Sequence, residues 1–190
     1  MAEFGFGAPL PEEDHVYGAR RPGYPGKFVQ TQLVDEWLAF MKKQGIGRLI
    51  CMLSDEELSY YPMLPGGLLG VYTETFGRDN VLWAPTQDKH LCSGEAVKHI
   101  CYFLQRGVSE GQKTVIHCSA GLGRTGQALA AWLIYNYDMT ERKALKTLEA
   151  LNRSPREAVF YGAADEADLL QLLAVARELD KPTWEAGPTG

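Results

Sequence analysis

Three stretches of the chain are apolar without alternation: residues 47–54 (GRLICMLS), 80–85 (NVLWAP) and 113–118 (KTVIHC). Runs of this kind predict strands covered on both faces, as in a parallel sheet, rather than strands with one solvated side. Elsewhere the apolar positions recur at helical spacing. From Thr31 to Gln44 the face is Leu33, Val34, Trp37, Leu38 and Met41, and Gly45 supplies a stop. Residues 68–77 form a short helical stretch ending at Gly77, and Ser93 caps a helix running to about Arg106 with Ala96, Val97, Ile100, Cys101 and Leu104 on one side.

Beyond residue 118 the pattern is helical throughout. Residues 124–137 (RTGQALAAWLIYNY) are apolar nearly all round, which predicts a central buried helix. Thr140 caps the next, with Ala144, Leu145, Leu148 and Leu151 inward and Pro155 as its interruption. A last helix is expected from about Ala164 to Leu179, followed by a loosely held tail, 181–190. Strands alternating with helices predict an α/β fold: a mainly parallel central sheet flanked by helices, with a C-terminal helical layer. The 190 residues show no internal boundary, so one domain is expected, its core spanning about 15–180 between short tails.

Charge and cysteine content narrow the function. A net charge of −5 disfavours nucleic acid as a partner. The first residues lack a basic head and an apolar core, and no segment is long and apolar enough to span a bilayer, so neither secretion nor a membrane is expected. The four cysteines, Cys51, Cys92, Cys101 and Cys118, show neither paired spacing nor a zinc pattern. A reducing, cytoplasmic setting follows, with no metal and no cofactor.

The chemistry concentrates in residues 117–126, HCSAGLGRTG. Residues 118–124 lie between the end of a buried strand and the start of a buried helix. Their N–H groups can converge into a nest, and the helix start adds partial positive charge, which together make an anion site. Gly121 and Gly123 permit the tight curve. Arg124 offers a bidentate fork to a tetrahedral anion. Cys118 sits at the floor, where the field that draws an oxyanion also favours thiolate over thiol. Thr125 places a hydroxyl near the sulfur. A thiolate facing a bound phosphate predicts attack on phosphorus through a phosphocysteine, with the nest and arginine holding the equatorial oxygens.

The pattern HC-x-x-G-x-x-R-T-G resembles the signature of cysteine-dependent protein tyrosine phosphatases, in particular the compact dual-specificity branch. The stretch ICMLSDEELSYY (50–61) resembles a segment near the start of those domains. The resemblance implies a protein tyrosine phosphatase-like fold and hydrolysis of phosphotyrosine, with phosphoserine and phosphothreonine as further substrates, in phosphorylated proteins or peptides. It implies that Ser119, Ala120, Gly121, Leu122, Gly123 and Arg124 bind the phosphate, and that His117 orients the loop and favours the thiolate. After the buried helix the resemblance weakens: the branch often has Arg-Pro-Gly, whereas this chain has NRSPREAV (152–159), leaving Arg153 and Arg156 as alternatives for a supporting role.

Upstream acids are Glu74, Asp79, Asp88 and Glu95. In a parallel sheet the functional loops gather beyond the carboxyl ends of the strands. That rule selects Asp88, after strand 80–85, over Asp79, before it; Glu74 and Glu95 fall within helices. The Pro85-Thr86-Gln87-Asp88 setting is also similar to that of the family's acid. Asp55, Glu56 and Glu57 follow the first strand: at least one could reach Arg124, and surface acids at a helix start are an equal reading. Arg20 and Arg21 have two readings, residues lining the approach to the site or, more simply, a solvated pair before a turn; Cys51 and Cys101 read as core, and Cys92 as a weak redox candidate.

Other functions fit less well. A phosphoinositide substrate would call for lysines in the loop, and an RNA 5′-triphosphate for a basic surface. A phospho-binding pseudophosphatase would lack the cysteine, arginine or acid. A rhodanese-like sulfurtransferase needs no arginine at this spacing, and arsenate reduction needs relay cysteines. A monomer is the simplest expectation.

Overall fold

The computed structural model describes residues 3–181. Four strands form one fully parallel sheet: β1 (Val16–Arg20), β2 (Ile46–Cys51), β3 (Val81–Trp83) and β4 (Lys113–Cys118), in the order β1-β4-β2-β3. The chain alternates these with α1 (Thr31–Lys43), α2 (Asp55–Leu58), α3 (Gly67–Phe76) and α4 (Gly94–Ser109), then continues as α5 (Gly123–Tyr137), α6 (Glu141–Ala150), α7 (Glu157–Phe160) and α8 (Glu166–Glu178).

The strands lack alternation because both faces are covered. Along β4, Val115 joins the core packed by α1 and α3, while Ile116 and Cys118 join the core packed by α4, α5, α6 and α8. In β2, Leu49 and Cys51 turn to the first side and Ile50 to the second. The second side is the helical layer expected from the sequence. At its centre α5 is buried from Gly123 through Tyr135, which accounts for its all-round apolarity.

Several boundaries differ from the sequence reading. Strand 80–85 pairs only over Val81–Trp83, and 47–54 ends its pairing at Cys51. Strand β1 was not expected; it is five residues long at a sheet edge and includes Gly18 and Arg20, so it carries no apolar run. It is pinned by buried Glu13, whose carboxylate accepts from the N–H groups of His15 and Val16 and from Trp132 Nε1 and the Tyr137 hydroxyl. Helix α6 stops at Ala150, before Pro155, and Leu151 is exposed rather than inward. Of the expected tail, 181–190, Lys181 bonds Asp138 at 3.1 Å, and 182–190 lie outside the described residues.

One consequence of the register matters for function. Arg20 pairs with Cys118, and Cys51 aligns with both His117 and Trp83. All four strands therefore end at one edge, and the segments that follow them converge there.

Candidate active site

The loop from Cys118 to Gly123 is shaped by what takes up its carbonyls. The N–H of Arg21 donates to the Cys118 and Ser119 carbonyls, both at 3.1 Å, and Arg153 donates to Gly121. The Leu122 carbonyl accepts from Gly126 (3.0 Å) and Ser154 (3.3 Å). With these oxygens capped from outside, the amides of 119–123 are left over; among the described residues none of them donates to a backbone carbonyl. Gly121 is required twice: its φ is +73°, and a Cβ there would lie 2.5 Å from the Ala19 carbonyl oxygen.

Two guanidiniums, one buried and one half-buried, brace the loop. Arg20 is half-buried, whereas Arg21 is 1% exposed and borders a cleft beside the loop, so of the two readings Arg21 takes the approach to the site. Its Nε donates to Ser119 Oγ at 3.0 Å and its Nη2 to the Gly26 carbonyl at 2.7 Å, tying the loop to the segment after β1. Arg153 donates to the carbonyls of Gly121, Gly18 (3.0 Å) and Gly5 (2.9 Å). Arg156 instead pairs with Glu149 and Glu166, so of the two alternatives Arg153 supports the loop.

His117 is wholly buried between Trp37 and Tyr72, with Nδ1 3.3 Å from the Cys118 carbonyl and Nε2 3.1 Å from the Tyr72 hydroxyl. A carbonyl can only accept, so Nδ1 carries the proton and Nε2 accepts from Tyr72. Burial lowers its pKa to about 4, against the raising effect of the Cys118 carbonyl. His117 therefore carries no charge of its own near neutrality. Because the unfolded chain binds that proton near pH 6.5 and the folded chain does not, acidification from 6.5 toward 4 is expected to destabilise the protein by up to about 3 kcal/mol. Imidazole NMR should show His117 still uncharged at pH 5; a protonated ring there would overturn this assignment.

Arg124, 1% exposed, meets Glu57 with both arms: Nη1 to Oε2 at 2.6 Å and Nη2 to Oε1 at 2.8 Å. Nη1 also donates to the Thr86 and Met52 carbonyls, and Nη2 to Asp88 Oδ1 at 2.7 Å. Of the three acids after β2 it is thus Glu57 that reaches Arg124. Burial opposes the Glu57 charge, but hydrogen bonds and charge from Arg124, with help from Ser54, hold its pKa below the usual carboxylate range. The available signal was Ser54-x-x-Glu57, a capping box that opens α2 and turns the Glu57 side chain inward.

Asp88 lies on the segment after β3, on the same edge as Cys118, and its side chain is half exposed. Asp79 belongs to the turn before β3, at the far edge; its charge is felt there by Arg48 and Arg106. Glu95 opens α4 and pairs with His99 on the surface, and Glu74 lies in α3.

Cys118, the last residue of β4, is 2% exposed. The other thiols sit in core: burial pushes Cys51 and Cys92 up to about 12 and Cys101 higher still. Cys92 shows no sign of a redox partner's role; it packs in the helical-side core, and its N–H donates to Gln127. Among the described residues three buried side-chain nitrogen or oxygen atoms lack a partner, and two are Arg124 Nε and Thr125 Oγ1. Unmatched buried donors are costly, and an oxyanion in the loop would satisfy them.

Beside this site opens a cleft of about 340 Å³, bordered by Tyr24, Lys27, Tyr60, Gln87, Asp88 and Ser119.

Comparison with known proteins agrees with this fold. The fold is similar to Tk-PTP in a mutant form (24% identity, TM-score 0.61, covering 89% of this chain and 93% of that one). It is also similar to the kinase associated phosphatase KAP with its catalytic cysteine replaced by serine (22%, 0.63, covering 82% and 87%). A third likeness is to PTPMT1 in complex with PI(5)P (12%, 0.64, covering 92% and 97%). No curated protein matches the sequence. Residues 26–138 match the family described as "Polymorphic toxin system, DSP-PTPase phosphatase". That match covers more than half of the chain, including the strand, loop and helix that carry Cys118 and Arg124, so the protein belongs to this family of cysteine-based, dual-specificity-type phosphatases.

Proposed function

We propose that this phosphatase acts on phosphorylated proteins, removing phosphate from tyrosine and, more slowly, from serine and threonine, through a phosphocysteine. The observation that carries the reading is the pair of unmatched donors, Arg124 Nε and Thr125 Oγ1, beside a buried cysteine in a loop with outward-capped carbonyls. The Cys118 thiolate attacks phosphorus, forming the P–S bond as the bond to the leaving oxygen breaks, and Asp88 gives that oxygen its proton. Water then attacks phosphorus, yielding a proton to the Asp88 carboxylate as the P–S bond breaks and thiolate departs. The backbone amides and Arg124 hold the equatorial oxygens throughout. Asp88 and the phosphate compete for Arg124 Nη2, so substrate binding releases the carboxyl for proton transfer.

The cleft favours an aryl phosphate. Tyr24 and Tyr60 offer flat apolar walls at its border. Lys27 stands over the Tyr60 ring at 5.5 Å, adding one positive charge beside the entrance. A reducing compartment suits the four free thiols, and among the described residues no helix is long and apolar enough to cross a membrane.

The test is a steady-state comparison of phosphotyrosine, phosphothreonine, phosphoinositide and triphosphate-RNA substrates in EDTA. Phosphotyrosyl peptide is expected to give the highest kcat/KM. A preference for phosphoinositide or RNA would overturn the substrate assignment, and loss of activity restored by a divalent metal would overturn the mechanism.

A further inference from the structure

One carboxylate beside the loop has no part in the steps above. Glu157 begins α7, a single turn with no counterpart in the sequence reading, and its Oε2 lies against the backbone of Gly123. A Cβ on Gly123 would come within 1.9 Å of that oxygen, so the glycine is what admits the carboxylate to the foot of α5. The segment holding it there is tied down on both sides. Before it, the Ser154 N–H donates to the Leu122 carbonyl of the loop and its carbonyl accepts from Glu157. The adjacent Arg156 is gripped by both carboxylate oxygens of Glu166, at 2.9 Å each from Nε and Nη2.

The electrostatic setting is shared with the reacting groups. Burial raises the Glu157 pKa, the Asp88 charge raises it further, and Arg124 and Lys89 oppose them; no hydrogen bond contributes. The carboxylate thus feels Asp88 and Arg124 directly and keeps its lone pairs uncommitted. Among the described residues no donor reaches this carboxylate, and groups perturbed in this way concentrate at functional sites.

We propose that Glu157 is the catalytic residue that orients the water attacking the phosphocysteine. The inference rests on the phosphocysteine reading above. In this step the water has two hydrogens: one passes to the Asp88 carboxylate, and the other is held by Glu157, which aligns the lone pair with phosphorus. The P–O bond forms, the P–S bond breaks, thiolate leaves, and Glu157 ends the step with its proton count unchanged. Asp88 and Glu157 divide the work by position, one on the segment after β3 and bonded to Arg124, the other on α7 against Gly123.

The experiment uses p-nitrophenyl phosphate, whose leaving group needs little protonation, so that slowing of the second step becomes visible. Glu157→Ala is expected to lower kcat by about tenfold or more and to produce a rapid burst of about one p-nitrophenolate per active site. Glu157→Gln retains an acceptor oxygen and is expected to recover kcat to within about threefold, without a burst. Affinity for inorganic phosphate should be unchanged in both, which reports an intact loop. An unchanged kcat in Glu157→Ala, or a fall in kcat without a burst, overturns the role. Acid-quench trapping of labelled phosphoenzyme separates the two hypotheses. Phosphoenzyme that is trapped in wild type but does not accumulate in Glu157→Ala overturns Glu157 alone; none in either protein overturns the phosphocysteine reading as well.

Discussion

Cys118→Ser is expected to abolish turnover while the protein continues to bind inorganic phosphate. In the proposed mechanism the sulfur is the nucleophile, and a serine hydroxyl in the same place would stay protonated. His117 cannot take that proton: its Nδ1–H is committed to the Cys118 carbonyl and its Nε2 to Tyr72. The binding half of the site is unaffected, because the loop is held from outside by Arg21, Arg153 and Ser154 rather than by the thiol. The exchange is small in volume at a position only 2% exposed, so the fold should survive it. Measurement of kcat together with phosphate titration checks both halves. A purified variant retaining a tenth of the wild-type rate, a loss of only about 1.4 kcal/mol, would remove Cys118 from the mechanism.

Asp88→Asn is expected to lower kcat by about 10²–10⁴, the usual contribution of a positioned general acid. The loss should be largest for alkyl phosphates and smallest for activated aryl phosphates, because a serine or threonine alkoxide needs its proton far more than a phenolate of pKa about 10. The basic limb of the pH–rate profile should fade with it. The structure adds a second signature. Asp88 Oδ1 is bonded to Arg124 Nη2 at 2.7 Å, so neutralising the carboxylate frees that edge of the guanidinium for phosphate. KM should therefore hold steady or fall while kcat collapses, and a rise in KM would contradict the competition between Asp88 and phosphate. Asp79→Asn is the control, since that residue lies at the opposite edge of the sheet. A defect in Asp79→Asn with normal kinetics in Asp88→Asn would overturn the choice of acid.

The parts of this site legible in the sequence are those carried by contiguous residues or by strand polarity. Cys118 through Thr125 form one strand–loop–helix unit whose chemistry is local, so spacing alone conveyed it. Asp88 was legible because a parallel sheet places all strand ends on one side, a rule that needs only strand order along the chain. The central helix was equally plain, since burial on every side leaves an all-round apolar record.

Tertiary structure alone decided the rest. Arg21 looks like a solvated charge in sequence, yet it is buried because the Ser119 hydroxyl and the Gly26 and Pro22 carbonyls converge on it across 98, five and one residues. Strand β1 carries no apolar run, and its place beside β4 comes from the Glu13 anchor and from a sheet already formed by its neighbours. Arg153 and Glu157 lie 35 and 39 residues after Cys118, in a stretch where the familiar segment is absent, and only the packing of α6 and α7 brings both to the loop. Choosing Glu57 over its two acidic neighbours required knowing which side of a four-residue helix faces Arg124. The physical reason is common to all four cases: a hydrogen bond or ion pair across the fold leaves no periodic trace along the chain, because its partner is fixed by packing rather than by neighbours in sequence.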